Sequence, residues 1–206
     1  MKKILISTGG SGGHVIPATI LSDHLSTKTK VIISTDRRGY RYLDKKIHNI
    51  EIIDTPKLNN IFLLPFNLIL IIFLIFKSFV LLKKNNIDYL FSTGGYMSLP
   101  LFYAGKILNI KIYLLEPNLV LGRANKLFLK SSEKIFCYTD QIKKFPETYK
   151  KKLVTINPLV RKEYYSQGIK KINNKLNLLI IGGSQGAKIF DNNLKNSIVS
   201  LSKEFS

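Results

Sequence analysis

A glycine-rich loop near the amino terminus carries the residue types best suited to binding an anion. Residues 9–13 contain four glycines around Ser11, and His14 follows directly. Glycine adopts positive φ and lets a ligand approach the main chain, while the N–H groups at the start of a following helix attract anions such as a diphosphate. The loop has neither the lysine of the P-loop nor the spacing of the dinucleotide-binding fingerprint. We therefore predict an anion-binding turn, with a tight turn that holds no ligand as the alternative.

Three further polar clusters follow apolar runs at later points of the chain. Residues 94–96 are Gly-Gly-Tyr, residues 116–118 are Glu-Pro-Asn, and Asn157 precedes Pro158. Each apolar run has the length of a strand, and the loops beyond the carboxyl ends of parallel strands form the ligand crevice of an α/β sheet. We therefore expect residues 11–14 and these three clusters to share one rim of the protein.

The elements that must position these clusters alternate along the chain. Apolar runs of strand length are separated by segments with apolar residues at helical spacing. This alternation predicts an α/β fold with a Rossmann-like, doubly wound parallel sheet. The predicted strands cover residues 4–6, 30–35, 51–54, 87–92, 111–115, 134–138 and 152–156, and predicted helices cover residues 15–25, 98–108 and 123–130.

Asp36 ends the second predicted strand and precedes Arg37. Some Rossmann-like folds hold a ribose hydroxyl with an acidic residue at this place. The alternative, which we favour, is a helix cap or a solvated turn, because aspartate is common at both.

The glycine pattern recurs near the carboxyl end. Residues 177–181 form an apolar run, and residues 182–186 form the loop Gly-Gly-Ser-Gln-Gly. We therefore predict a first domain over residues 1–161, a lysine-rich linker over 162–176, and the first strand, loop and helix of a second Rossmann-like domain over 177–206. One strand and one helix cannot bury a core, so this second domain is predicted to be incomplete.

Residues 61–82 form a long apolar stretch that ends at Lys83 and Lys84. Its length and hydrophobicity suit a transmembrane helix, but Pro65 and Asn67 interrupt it and the αβ pattern continues on both sides. We favour a helix of the fold whose apolar outer face enters the membrane interface. An ordinary buried helix and a true membrane span are the alternatives.

The formal net charge of +19 is large for 206 residues. The excess is mostly lysine, with abundant asparagine and isoleucine, a pattern that a codon-composition bias produces. Attraction to an anionic lipid surface is the main functional alternative. The basic residues are spread along the chain without a nucleic-acid-binding motif, so we predict no nucleic-acid partner.

The one cysteine, Cys137, lies in an apolar run and is predicted to be a buried, inert thiol.

Several motifs in a fixed order carry a family resemblance. They are Gly-Gly-Ser-Gly-Gly-His-x-x-Pro at 9–17, Thr-Gly-Gly-Tyr at 93–96, Glu-x-Asn at 116–118 with Asn-Lys at 125–126, Asn-Pro at 157–158, and Gly-Gly-Ser-Gln-Gly-Ala at 182–187. The chain resembles the N-terminal part of the bacterial UDP-N-acetylglucosamine:N-acetylmuramyl-(pentapeptide) pyrophosphoryl-undecaprenol N-acetylglucosamine transferases. The resemblance covers essentially all 206 residues.

The resemblance implies a two-domain, inverting GT-B glycosyltransferase of peptidoglycan synthesis. Such an enzyme moves N-acetylglucosamine from UDP-N-acetylglucosamine to lipid I, giving lipid II, and is peripheral at the cytoplasmic face of the inner membrane. We expect no cofactor and no metal, since the sequence has no Asp-x-Asp pair. The chain is predicted to be truncated and inactive alone. The competing hypothesis is a non-catalytic, membrane-recruiting subunit of a split sugar transferase.

The resemblance also assigns roles to individual residues. Tyr96 and Asn125 are expected to shape the acceptor pocket. The family arginine that follows Asn-Pro corresponds to Arg161, although the spacing here is one residue longer. The positions expected to contact the donor are Ser11, Gly12, Gly13, Asn118, Arg161 and Ser184.

The implied reaction needs a general base for the acceptor hydroxyl and stabilisation of the leaving UDP. We predict that His14 is the base, because imidazole titrates near neutrality and this residue ends the first loop. A role in capping or packing is its alternative. Glu116 is the second candidate base, with a structural hydrogen-bonding role as its alternative. Ser184 and the loop at 182–186 are the predicted cradle of the diphosphate.

Overall fold

The computed structural model describes residues 1–56, 62–165 and 194–201. The chain divides into two compact units, Met1–Arg161 and Lys162–Ser206. In the second unit the described part consists of a short 3-10 turn at Lys162–Tyr164 and of residues 194–201, which are helical. The predicted strand and glycine loop at 177–186, and most of the predicted linker, lie outside the described residues.

The first unit is built on one seven-stranded sheet in which every neighbouring pair of strands is parallel. All seven strands fall where the apolar runs predict them, which confirms the predicted α/β fold. The strands are β1 (Lys3–Ser7), β2 (Lys30–Thr35), β3 (Ile50–Ile52), β4 (Tyr89–Ser92), β5 (Lys111–Glu116), β6 (Lys134–Cys137) and β7 (Leu153–Thr155).

The order of the strands in the sheet is β3-β2-β1-β4-β5-β6-β7. The chain first builds outward from β1 to β3, then returns to the other side of β1 and builds outward from β4 to β7. The loops that follow β1 and β4 therefore leave the sheet on opposite sides of a switch point, where open α/β sheets bind their ligands.

Four α-helices connect the strands in the described part of this unit. Pro65 and Pro100 each stand in the first turn of a helix, where the missing N–H breaks no helical hydrogen bond. The last predicted helix, at 123–130, ends early and continues as a 3-10 turn at Leu129–Ser131. The helices are α1 (Gly12–Leu25), α2 (Leu64–Lys84), α3 (Leu99–Ile107) and α4 (Arg123–Phe128).

The main core lies between the sheet and the layer that holds α3 and α4. Phe102 of α3 stacks on Phe128 of α4, with ring centroids 3.6 Å apart and an angle of 12° between the rings. Both rings are buried against strand residues such as Leu114 and Ile135. Cys137 is fully buried in the same core, and burial raises the pKa of its thiol. This confirms the prediction of a buried cysteine.

The outer face of α2 is exposed along its length. Ile71, Ser78 and Leu82 are buried, and the helix packs against α3. The interpretation of this segment as an ordinary buried helix is therefore wrong. Its length and composition would also allow α2 to cross a membrane, which is weak evidence for a span. The side chains of the opposite face, each 61–67% exposed, are Phe66, Ile69, Ile72, Phe73 and Phe76.

Candidate active site

The first half of the glycine loop packs against its own protein. Gly9 and Gly10 have φ of 154° and 80°. A Cβ atom on Gly9 would lie 2.6 Å from Asp36 Oδ1, and one on Gly10 would lie 3.0 Å from Met97 Cε. These two glycines are therefore required by the close approach of Asp36 and Met97.

The second half of the loop is less crowded. Among the described residues, a Cβ atom on Gly12 would lie in ordinary contact with Tyr42 at 3.5 Å, and one on Gly13 would meet only Ser11 Oγ, at 3.7 Å; Gly13 is exposed. Ser11 is the N-cap residue of α1, yet its hydroxyl makes no capping hydrogen bond. The N–H groups of Gly12 and Gly13 belong to the first turn and have no acceptor within the helix. The features expected of an anion-binding turn are thus confined to residues 11–13.

Asp36 is a buried anchor for this loop. Its Oδ1 accepts the Gly10 N–H at 2.8 Å and the Gly39 N–H at 2.9 Å, and Gly39 begins a 3-10 turn. Its Oδ2 pairs with Arg38 at 2.8 Å. Burial alone would raise the pKa of Asp36, but the two amide hydrogen bonds and then the guanidinium outweigh it and lower that pKa. The carboxylate is buried, so the solvated-turn interpretation is wrong. The N-cap residue of the 3-10 turn is Arg38, and Asp36 contributes to that turn by accepting the N–H of Gly39.

A cavity of about 420 Å³ lies at the switch point of the sheet. Its walls come from α1, from the loop after β4, and from β5 and α4. Sequence reasoning did not single out Leu99, Gly122, Arg123 and Leu127, which also line it. The predicted site residues that the fold brings together here are His14, Tyr96, Glu116, Asn118 and Asn125.

Other predicted site residues lie elsewhere. Among the described residues, Ser11, Gly12 and Gly13 adjoin His14 in sequence without lining the cavity. Asn157 and Arg161 are exposed beyond β7, the last strand at one edge of the sheet. Ser184 lies outside the described residues.

His14 is fixed across the switch point. Its Nδ1 lies 2.7 Å from the carbonyl oxygen of Thr93, in the loop after β4. Because a carbonyl oxygen can only accept, Nδ1 carries the hydrogen, and Nε2 of the neutral ring keeps its lone pair. A Cβ atom on Gly94 would lie 3.5 Å from His14 Cε1, so the ring rests against glycine main chain. This arrangement suits a histidine that takes up a proton at Nε2.

Glu116 is surrounded by donors from the loop that follows it. Its Oε1 accepts from the N–H and the Nδ2 of Asn118 at 3.2 and 3.0 Å. Its Oε2 accepts from the Gly122 N–H at 2.7 Å and from Asn125 Nδ2 at 3.0 Å. Four donors to one buried carboxylate are expected if Glu116 has a structural hydrogen-bonding role. The geometry favours that role over proton abstraction.

Asn125 presents an unsatisfied acceptor. Its Nδ2 donates to the Leu115 carbonyl at 3.1 Å as well as to Glu116, and both partners can only accept in this arrangement. The amide is therefore oriented with Oδ1 on the other side, where it is buried and has no hydrogen-bond partner among the described residues. Buried acceptors are nearly always paired. A ligand hydroxyl or N–H in the cavity would supply the missing donor.

Within the part of the chain that the structure describes, no group of three or more His, Cys, Asp or Glu side chains is arranged to hold a metal ion. The expectation that the reaction needs no metal stays a prediction.

A match to a family model identifies the protein family of this chain. The model of the glycosyltransferase family 28 N-terminal domain matches residues 4–137. The chain belongs to this family. Every lining residue of the cavity falls inside the family 28 match, as do β2 to β6 and all of β1 except Lys3.

Similar proteins agree with the resemblance seen in the motifs. A protein of Pelagibacter ubique (strain HTCC1062) named UDP-N-acetylglucosamine--N-acetylmuramyl-(pentapeptide) pyrophosphoryl-undecaprenol N-acetylglucosamine transferase is 53% identical over an alignment of 206 residues that covers 99% of this chain. A protein of the same name from Rickettsia felis (strain ATCC VR-1525 / URRWXCal2) is 32% identical over 209 residues, covering 96% of this chain. The family resemblance is confirmed.

A solved structure gives the same result for the fold. The crystal structure of Acinetobacter baumannii MurG matches with a TM-score of 0.74 at 25% identity, over 97% of this chain and 58% of that chain. This family 28 chain likewise spans 58% and 57% of the lengths of the Pelagibacter and Rickettsia relatives.

Proposed function

We propose that this chain is the N-terminal part of an inverting glycosyltransferase that moves N-acetylglucosamine from UDP-N-acetylglucosamine to lipid I, giving lipid II. The observation that carries the proposal is the 53% identity, along nearly the whole chain, to a relative named for this transfer. The cavity supports it, because His14 and Asn125 offer a proton acceptor and a hydrogen-bond acceptor side by side.

The proposed reaction forms one bond and breaks another at a single carbon. The 4-hydroxyl oxygen of the muramyl sugar bonds to C1 of N-acetylglucosamine, while the bond from C1 to the diphosphate oxygen breaks with inversion. A hydroxyl is a weak nucleophile, so its proton must be taken up as the new bond forms. His14 Nε2 accepts that proton, and the Thr93 carbonyl, which accepts a hydrogen bond from Nδ1–H, keeps the ring in place.

The other cavity residues orient the acceptor in this proposal. Asn125 Oδ1 accepts a hydrogen bond from a sugar hydroxyl or amide N–H. Glu116 is a positioning residue, because it holds the amides of Asn118 and Asn125 and the main chain at Gly122. Tyr96 adds an aromatic wall that carries a hydroxyl.

Donor binding is divided between two glycine loops in the proposal. In the first loop, the Ser11 hydroxyl and the N–H groups of Gly12 and Gly13 suit a diphosphate oxygen. Asn118 faces the cavity, where the transferred sugar would meet the acceptor. The roles of Arg161 and Ser184 rest on the family resemblance.

We also propose that the protein is a peripheral membrane protein and that α2 attaches it to the anionic cytoplasmic face of the inner membrane. Its exposed apolar face suits the interfacial region, and Lys83 and Lys84 at its end suit anionic headgroups. Co-sedimentation with phosphatidylglycerol vesicles tests this. Replacing Ile72 with aspartate should abolish binding, whereas the same change at Ile47, an apolar residue 71% exposed in the loop before β3, should not.

The transfer is tested with two proteins. One is this chain alone, and the other, called the joined enzyme, is this chain fused to the C-terminal part of the Pelagibacter ubique relative. We expect lipid I-dependent release of UDP from the joined enzyme and none from the chain alone. If both proteins bind vesicles and neither releases UDP, the proposed transfer is contradicted. That result would favour a membrane-recruiting subunit, a function that the exposed face of α2 would also serve.

A further inference from the structure

Arg38 joins the two glycine loops, of which the second lines the cavity. Its Nε donates to Asp36 Oδ2 at 2.9 Å, and its Nη2 lies 2.8 Å from the same oxygen. Nη2 also donates to the hydroxyl of Tyr96 in the second loop. Since Asp36 accepts the Gly10 N–H, a continuous series of hydrogen bonds runs from the first loop through Asp36 and Arg38 to the second.

Packing connects the same two loops. The side chain of Met97, the neighbour of Tyr96, lies so close to Gly9 and Gly10 that a Cβ atom on either would come within 3.0 Å of it. The Met97 carbonyl accepts a hydrogen bond from Thr55 Oγ1 at 3.3 Å. Thr93, which precedes the second loop, also hydrogen-bonds to Thr8 Oγ1 and to His14. Arg38 therefore supplies one of several contacts between the loops.

The direction of the Tyr96 proton follows from the chemistry of arginine. A guanidinium has only N–H donors, so the Tyr96 oxygen is the acceptor in this bond. The phenolic proton must then point away from Arg38. Burial raises the pKa of Tyr96 despite the opposing charge of Arg38, so the hydroxyl keeps its proton at neutral pH. Because Tyr96 lines the cavity, the hydroxyl is free to donate to a ligand oxygen there.

We propose that Arg38 is a positioning residue for the acceptor, which fixes Tyr96 as a hydrogen-bond donor to an oxygen of the acceptor substrate and ties the two loops together. This inference rests on the proposed function for the identity of the acceptor. The contact between Arg38 and Tyr96 does not depend on that function, so the two are tested separately.

Arg37 provides a matched control for the first test. It is an arginine one position away, and its Nε pairs with Asp54 at 2.8 Å on the surface, with the Arg37 side chain 85% exposed. The phenolic carbons of the 206-residue chain are labelled with carbon-13, and the Tyr96 signal is assigned by its loss in Tyr96→Phe. We expect the pKa of Tyr96 to rise in Arg38→Met, because a cation is removed, and to stay unchanged in Arg37→Met.

Arg38→Lys guards against misfolding, because it keeps a cation beside Asp36 while replacing the planar fork with a single ammonium group. Its Tyr96 signal should move in the same direction as in Arg38→Met. If the pKa of Tyr96 in both Arg38 variants equals that of the wild type, the proposed contact between Arg38 and Tyr96 is overturned.

The second test uses the joined enzyme. Arg38→Met should raise the KM for lipid I about tenfold, the effect of losing the oriented neutral hydrogen bond from Tyr96 to the acceptor, and leave the KM for UDP-N-acetylglucosamine unchanged. In a Tyr96→Phe background the same change should add little, because both substitutions remove one interaction. A fall in kcat alone, or full additivity with Tyr96→Phe, would overturn the positioning role.

The outcomes separate the two hypotheses. If the wild-type joined enzyme transfers no sugar, the proposed function fails and the acceptor-directed role of Arg38 fails with it. If the wild type is active and Arg38→Met matches Arg37→Met in both KM values, the role of Arg38 alone is overturned.

Discussion

Replacing Asp36 with alanine should strongly destabilise the first unit, because this carboxylate holds the glycine loop. The substitution leaves the Gly10 and Gly39 N–H groups without their acceptor, in a place where the side chain is only 6% exposed. An unpaired buried donor costs about 1–3 kcal/mol. The lost pair with the half-exposed Arg38 adds little, since such pairs contribute about 0–1 kcal/mol. We therefore expect a loss of about 2–6 kcal/mol in the free energy of unfolding.

Urea denaturation followed by circular dichroism measures this loss, with Asp54→Ala as the control. Asp54 also accepts a main-chain N–H, from Arg37 at 2.7 Å, and pairs with the Arg37 side chain, but it is 43% exposed. Water can replace those bonds, so the control should lose less than about 1 kcal/mol. Equal losses in the two variants would show that Asp36 is not a buried anchor.

Three further predictions concern the core, the loop and the acid range. Phe128→Ala should cost about 3–5 kcal/mol in urea denaturation, because it removes a fully buried ring stacked on Phe102; a cost below about 1 kcal/mol would contradict this packing. Gly94→Ala should lower turnover of the joined enzyme about tenfold or more, because φ is 91° and the new Cβ would lie 3.3 Å from Asn125 Nδ2, closer than an ordinary contact; unchanged turnover would show that this loop tolerates a side chain. The lowered pKa of Asp36 means that the unfolded chain binds its proton first as the pH falls, so this stabilisation is present above about pH 4 and is lost below it. Asp36→Asn should therefore show a smaller loss of stability between pH 5 and pH 3 than the wild type, and parallel curves would exclude the effect.

The fold was predictable because its local signals agree with each other. Strands such as β2 and β5 are continuous apolar runs that end in polar or glycine clusters, and the structure places them within a residue of the prediction. The order of the strands was not predictable from such runs, because pairing depends on contacts between distant segments. The position of the cavity between the loops after β1 and β4 therefore emerged only from the structure.

The candidate site was predictable in its residue types but not in its contacts. Four glycines in a short loop indicated a ligand, yet Gly9 and Gly10 make room for Asp36 and Met97. Nothing in the sequence marks Arg38 as different from Arg37, since the partners that distinguish them, Tyr96 and Asp54, come from distant parts of the chain. The position of Asp36 at the end of a strand made it a candidate for ligand binding. Its carboxylate instead turns towards the main chain of its own protein, and position in the sequence does not predict this direction.

The apolar stretch that forms α2 shows the same limit. Hydrophobicity alone allowed a buried, an interfacial or a spanning helix, because these differ in what surrounds the helix. Packing of one face on α3 and exposure of Ile72 and Phe76 on the other removed the buried alternative.

The most direct test of the proposed reaction is the lipid I-dependent release of UDP by the joined enzyme with His14 replaced by glutamine. Glutamine can still donate a hydrogen bond to the Thr93 carbonyl, but its side chain cannot act as a base near neutrality. If His14 Nε2 takes the proton of the acceptor hydroxyl, release should fall about 10²–10⁴-fold while circular dichroism and the melting temperature stay those of the wild type. Release at the wild-type rate would contradict the proposed mechanism.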